Sequence, residues 1–253
     1  MKINKTASRV IDIIRLLAKS EKALTQLEIS NALDIPKSST FDLVYTLLEK
    51  NIIEYDNVDF KTFKLSISMF EIGSSVITKN NLMNIAQENM KKLSKETGKT
   101  VFLATEVNNE VMYIHRVEDI PSIVNSVNLG THLPMYCTAL GKAILSTYDD
   151  EQMKQYLNSG INFVKYTERT IDSYDKLKED LIKTRQRGYS FEDRELQPES
   201  ACVGAPIFGY SGHTIAAISI SFIRSRVKED DIMILGKMVR DTANQISHKM
   251  GSI

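Results

Sequence analysis

The chain has 253 residues with 32 basic side chains, 32 acidic ones and two cysteines, a length that accommodates a small domain and a larger one, each with its own core. A formal charge of zero excludes a global field drawing the protein onto nucleic acid or anionic lipid, so any DNA contact has to be local. Cys137 and Cys202 are too few for a disulfide framework, no run of 18 apolar residues occurs, and Asp12 and Arg15 interrupt the N-terminal apolar positions, which together predict a reduced, cytoplasmic protein without signal peptide or membrane partner.

Between Ala7 and Lys19 the apolar residues Val10, Ile13, Ile14 and Leu17 form one stripe of an amphipathic helix. In LTQLEISNAL, Thr25 has Glu28 three residues on, the capping-box pattern of a second, short helix that buries Ile29, Ala32 and Leu33. Asp34 and Ile35 make a turn, Pro36 suits a first helical position, and Phe41, Val44, Leu47 and Leu48 supply the buried face of a third helix. Three helices with a tight turn between the second and third make a helix-turn-helix, and the alternating NIIEYDNVDFKTFKLS behind them reads as the hairpin of a wing. In such a module the third helix lies in the major groove. The side chains expected at DNA are Thr25, Lys37, Ser38, Ser39, Thr40 and Asp42, with Lys61 and Lys64 added by the wing. Residues 1–79 carry eleven basic and ten acidic side chains, so a protein-interaction module is the competing reading of the same pattern.

The following stretch, SISMFEIGSSVITKNNLMNIAQENMKKLSKETG, reads as helical, with Gly73 as a soft point and Gly98 as its terminator. TVFLATEV and EVMYIHRV around Asn108 and Asn109 read as a hairpin, and SIVNSVNL as a third strand. Helices follow at TALGKAILSTY, DEQMKQYL and SYDKLKEDLIKTRQRG, then strands YSF, ACVGAPIFG and HTIAAISISFI, then a helix bearing Ile232, Leu235, Val239, Ala243 and Ile246 on one face. Hairpin strands with helices packed on them predict an α+β domain.

ASRVIDIIRLLAKS, LTQLEISNALDIPKSSTFDLVYTLLEKNIIE, HLPMYCTALGKAILS and GYSFEDRELQPESACVGAPIFGYSGHTIAAISIS together resemble the IclR family of bacterial transcription regulators, from about residue 6 to 249. The resemblance implies a winged helix-turn-helix DNA-binding domain over 1–66, a linker helix over 67–81 and a GAF-like effector-binding domain with an antiparallel sheet over 82–253. It also implies double-stranded operator DNA and a small effector as partners, action more often as a repressor, and a homodimer or dimer of dimers. Where the family pattern usually has Arg in the recognition helix, this chain has Asp42. A carboxylate there either accepts from cytosine N4 or pairs with Lys37 or Lys50, or faces solvent without touching a base.

Thr138 is a natural N-cap, which leaves the amides of Ala139 and Leu140 as donors at a helix N-terminus, an arrangement that favours a carboxylate. Carried over position by position, the resemblance assigns effector binding to Ala139, Leu140, Glu192, Cys202, Ser219 and Ser221. Glu192 stands where the family usually has Asp, so a backbone contact survives and a side-chain contact shifts. The pocket wall is expected from Met112, Ser122, Asn125, Leu129, Leu133 and Met135; Ser122 and Asn125 point to a hydroxylated or keto acid such as a sugar-derived one. Glu192, Asp193 and Glu195 read as a solvated or strand-end acidic cluster and not as an acid/base pair. His115, His132 and His213 fit no zinc spacing and Cys202 falls in an apolar strand, so neither catalysis nor a metal or cofactor is expected. The rival to the regulator is a ligand-binding or protein-interaction protein with a degenerate DNA-binding head.

Overall fold

The computed structural model describes residues 3–79, 81–118 and 127–252. They fall into two compact units, Met1–Lys79 and Asn80–Ile253.

In the first unit, α1 (Lys5–Lys19) starts at Asn4, whose side chain accepts from the amides of Thr6 and Ala7, and buries Ile13 and Leu17. A two-residue strand β1 (Leu24–Thr25) leads into α2 (Gln26–Ala32), and α3 (Lys37–Glu49) follows after a turn. The expected capping box is present: Glu28 N–H donates to Thr25 Oγ1 (3.3 Å) and Thr25 N–H to Glu28 Oε2 (2.8 Å). Thr25→Ala, which removes half of that box, is expected to lower the stability of this unit by about 1 kcal/mol, read as a lower urea midpoint. The wing is β2 (Ile53–Asn57) and β3 (Thr62–Leu65), and β3 pairs on its other side with β1. Ile13, Ile29, Val44, Ile53 and Phe63 are the sealed centre of this core.

Three local expectations are corrected. Pro36 sits at the N-cap of α3, not at its first helical position. Ile29 is buried on α2 as expected, but it is Ser30 that goes inside with it while Ala32 faces solvent. On α3 the inward residues are Thr40, Leu43, Val44 and Leu47, and Phe41 is 47 % exposed. The helix is thus turned relative to the stripe read from Phe41, because the Thr40 hydroxyl lies 3.2 Å from Pro36 O and 3.4 Å from Ile35 O and is satisfied in the interior.

Helices α4 (Ser68–Lys79) and α5 (Asn81–Thr97) cover the stretch read as one long helix; Gly73 lies within α4 and Gly98 terminates α5 with a positive φ of 63°. Among the described residues the second unit is built on six antiparallel strands: β4 (Thr100–Val107), β5 (Glu110–Val117), β6 (His132–Pro134), β7 (Ser190–Asp193), β8 (Ser200–Phe208) and β9 (Thr214–Ile223), in the order β6-β5-β4-β9-β8-β7. Asn108 and Asn109, both at positive φ, make the tight β4–β5 turn. The strand expected over 122–129 lies mostly outside the described residues, and its described end is not a strand; β5 pairs instead with β6, which was not expected.

Alternation along the strands sorts two cores. One face carries Val101, Leu103, Val203, Ile207, Ile218 and Ile220 and is covered by α5 and α9 (Glu229–Lys249). The other carries Phe102, Ala104, Tyr113 and Ala217 under α6 (Ala139–Leu145), α7 (Asp150–Asn158) and α8 (Tyr174–Arg187). Among the described residues no helix is long and apolar enough to cross a membrane.

Candidate functional site

The outward side of the helix-turn-helix presents Lys37, Ser38, Phe41 and Asp42. Ser39 is half-buried, and Thr40 is fully buried with its hydroxyl turned to the preceding turn, so Thr40 is withdrawn from the DNA-contacting set and instead pins the turn. The Thr25 hydroxyl accepts from the Glu28 amide and lies 2.9 Å from its carboxylate, which commits it to the cap. On the wing, Lys64 Nζ lies 3.0 Å from Asp56 and 3.8 Å from Glu54, while Lys61 is exposed at the tip.

In the second unit the register aligns the residues carried over from the family. Glu192 on β7 pairs with Cys202 on β8, which pairs with Ser221 on β9; one row along, Ser190, Gly204 and Ser219 stand opposite one another and Ser219 pairs with Phe102. The N-terminus of α6 lies over the second row. A Cβ on Gly204 would meet Ala139 O at 2.9 Å, so glycine permits this approach, and Ser190 Oγ donates to the same oxygen at 2.6 Å. Thr138 caps α6 by accepting from Gly141 N–H (3.1 Å), and among the described residues no acceptor takes the amides of Ala139 and Leu140.

Ala139, Leu140, Glu192, Cys202, Ser219 and Ser221 line one cavity of about 30 Å³, together with Phe102, Tyr113, Val127, Cys137, Thr138, Leu196, Gln197 and Ser200. The remaining expected wall residues are elsewhere. Met112 points to the opposite side of β5 from Val111 and Tyr113, Leu129 is 57 % exposed, Leu133 packs at the edge of the core, and Met135 is sealed beneath Gly141. Ser122 and Asn125 lie outside the described residues. The aromatic wall of Phe102 and Tyr113, which meet edge-to-face at 5.3 Å, was missed; period two showed that Met112 and Tyr113 face opposite ways, not which of them meets α6.

Of the two readings of the acidic cluster, the strand-end one holds for Glu192 and Asp193, which close β7, and the solvated one is corrected: Glu192 and Glu195 are 2 % and 6 % exposed. Glu192 Oε1 accepts from the amides of Glu195 (2.5 Å) and Leu196 (3.3 Å). Burial first, and the neighbouring Glu195 second, push the Glu192 carboxyl up to about 7 against those amides. Lys142, reaching from α6, donates to Glu195 Oε1 and to Phe191 O, both at 2.6 Å, and lies 3.2 Å from Asp180. Burial opposes its charge, but Glu195 and Asp180 prevail and hold its pKa above the ordinary lysine value. Asp193 is the member that does face outward, bridged by Arg169, Arg194 and Arg224.

Burial drives both thiols upward, Cys137 to about 12, so neither is a thiolate nucleophile at neutral pH. Among the described residues no group of three or more His, Cys, Asp or Glu side chains is arranged to hold a metal.

Residues 6–57 match the IclR helix-turn-helix domain, and residues 74–248 match the bacterial transcriptional regulator IclR C-terminal domain. The chain is similar to the HTH-type transcriptional regulator KdgR of Escherichia coli K12, at 28 % identity over 96 % of this chain and 91 % of the relative. It is similar at 30 % identity to the HTH-type transcriptional repressor AllR of the same organism, over 96 % of this chain and 89 % of that one. The crystal structure of the Thermotoga maritima IclR is 30 % identical and superposes with a TM-score of 0.78 over 97 % of this chain and 98 % of the other. The chain belongs to the IclR family of bacterial transcriptional regulators, DNA-binding proteins with an effector-binding C-terminal domain rather than enzymes.

Proposed function

We propose that this regulator is a cytoplasmic repressor whose winged helix, within residues 1–66, holds a paired operator, and whose domain over 82–253 responds to a short hydroxylated or keto acid. The observation that carries the effector reading is the convergence of two free amides at the start of α6 with Glu192, Cys202, Ser219 and Ser221 on one cavity. The amides take the carboxylate and the hydroxyls of Ser219 and Ser221 serve the polar remainder. A cavity of about 30 Å³ holds one or two waters, which favours a short-chain acid over an aromatic one. The more specific sugar-derived acid depended on Ser122 and Asn125 and is not carried further.

Residues 67–81 link the two functions in this reading, and the exposed Ile67 and Phe70 at the start of α4 support a homodimer or dimer of dimers. Two heads are needed because one recognition helix reads a single half-site. The effector acts by binding one arrangement of heads better than the other.

The test is a footprint of the full-length protein on the DNA upstream of its own gene, over a salt titration, with and without glycolate, lactate, glyoxylate or pyruvate. A protected paired site that one of these acids weakens is the expected result. Protection unaffected by any tightly bound acid contradicts the sensor, and absence of protection at low salt supports the degenerate-head reading.

Glu192 gives this site a pH signature. An anionic ligand is repelled by the ionised form and accepted by the neutral one, and the two forms are equal near pH 7. Raising pH from 6 to 8 is therefore expected to weaken acid binding about tenfold, and Glu192→Gln to flatten that dependence, both measured by titration calorimetry.

A further inference from the structure

The outward face of α3 lacks the side chains that most often read DNA. Lys37 is its sole basic residue, and it stands at the first position. Five and four residues further on come an exposed carboxylate, Asp42, and a large aromatic ring, Phe41, which packs against Tyr45 at a 38° tilt with centroids 4.3 Å apart. Among the described residues Asp42 forms no ion pair; Lys37 and Lys50, its two candidate partners in the sequence, both leave it alone. The hydrogen bond at this residue is to its backbone, whose carbonyl accepts from Thr46 Oγ1 at 2.6 Å. With Thr40 turned inward, Asp42 and Phe41 are the two chemically distinctive groups this face offers to a groove.

A carboxylate is an acceptor only. In the major groove guanine shows two acceptors and thymine an acceptor and a methyl group, so both reject it; adenine couples its N6 donor to an N7 acceptor, whereas cytosine presents the N4 donor without one. An exposed phenylalanine has the complementary preference, for the thymine methyl. The wing does not substitute for base contacts, because Lys64 is already engaged by Asp56 and Glu54, which leaves Lys61 to extend from the hairpin.

Resting on the DNA-binding reading above, we infer that α3 reads its half-site through Asp42 and Phe41: Asp42 accepts from cytosine N4, and Phe41 packs on the methyl group of a neighbouring thymine. The half-site then requires cytosine at one position and thymine at another close by. With Lys37 the one basic side chain on α3 and Lys64 of the wing paired to Asp56 and Glu54, base contacts and the pairing of heads carry a large share of the affinity in this reading.

The experiment is selection from a randomised duplex library with the full-length wild type, Asp42→Ala, Asp42→Asn and Phe41→Ala, followed by binding to the selected duplex with uracil in place of thymine. The expected result is a cytosine column that Asp42→Ala flattens and Asp42→Asn shifts towards adenine, with the other columns unchanged. Uracil at the thymine column should weaken wild type about fourfold, the worth of one buried methyl group, and leave Phe41→Ala unaffected. The uracil probe alters no protein residue, so it does not depend on how the variants fold. Identical columns from wild type and Asp42→Ala, or indifference of wild type to uracil, overturn the inference. A selection in which wild type enriches no sequence overturns the DNA-binding reading beneath it.

Discussion

Lys142→Met is expected to destabilise the C-terminal unit by about 3–5 kcal/mol, because it breaks a buried ion pair from one side. The ammonium is fully buried and is the cation in direct contact with Glu195 and Asp180, with Glu192 more distant; Arg187 also acts on Asp180 and Glu195, without an ion pair to either among the described residues. Among the described residues Glu195 Oε2 has no hydrogen-bond partner, and Asp180 Oδ2 is held by the 3.2 Å ion pair to Lys142 itself, so removing the ammonium leaves both oxygens without a direct partner. Such an amount is a large share of a domain's total stability. Lys142→Met combined with Glu195→Leu should recover at least half of it, since the charge left behind, and not the missing contact, is the main penalty. Urea unfolding followed by circular dichroism checks both, the chain having no tryptophan. Burial raises the carboxyl of Glu195 and takes that of Glu192 up to about 7, so the folded chain keeps protons that the unfolded chain has lost. The Glu192 contribution to stability therefore falls as pH rises from the ordinary carboxylate range to about 7. The single variant should follow the same sign more steeply, gaining stability in mild acid, where its orphaned carboxylates are neutralised.

Gly141→Ala is expected to abolish the effector response while leaving operator binding in place. A Cβ at this position would lie 2.2 Å from Met135 Cα and 2.3 Å from Met135 O, both main-chain atoms that cannot swing aside. Relief requires α6 to move by about 1.3 Å or more to reach normal van der Waals separation from Met135 Cα. That shift displaces the Thr138 cap and the Ala139 and Leu140 amides from the row of Ser219 and Gly204 beneath them. A misplacement of this size costs on the order of a hundredfold where geometry determines the interaction. The readout is a footprint that persists at acid concentrations which release wild type, with circular dichroism confirming that the fold survives. Gly73→Ala is the matched control for a glycine replaced in a helix: among the described residues nothing lies within 4 Å of its added Cβ, and in the interior of α4 alanine should be neutral or stabilising.

The segments legible in the sequence are those whose own pattern carries the physics. The capping box at Thr25 and Glu28, the Asn108–Asn109 turn and the glycine at the end of α5 each depend on residues adjacent in the chain, and all three form as read. Period-two alternation along β9 likewise separates Ser219 and Ser221 from Ile218 and Ile220, and the two sets do lie on opposite faces of the sheet. Of the six positions taken from the family resemblance, the four on strands, Glu192, Cys202, Ser219 and Ser221, converge on one cavity because strand register, once set, carries every second residue of β7, β8 and β9 to the same face; Ala139 and Leu140 reach it from α6.

What the chain by itself determined is therefore its class: two units, a winged helix-turn-helix before an α+β domain, in the family whose motifs it bears. Tertiary structure decided the rest. Whether Thr40 or Phe41 turns inward depended on the carbonyls of Ile35 and Pro36 being available to a buried hydroxyl. Whether Met112 or Tyr113 lined the cavity depended on which layer of helices covered each face of the sheet. The burial of Glu192 and Glu195, which look like surface charges in the one-dimensional string, depended on a lysine 50 and 53 positions away arriving beneath them on α6. Local pattern records the period and the caps because neighbouring residues set them; facing, burial and charge compensation are set by partners distant in sequence, and only the packed fold brings those together.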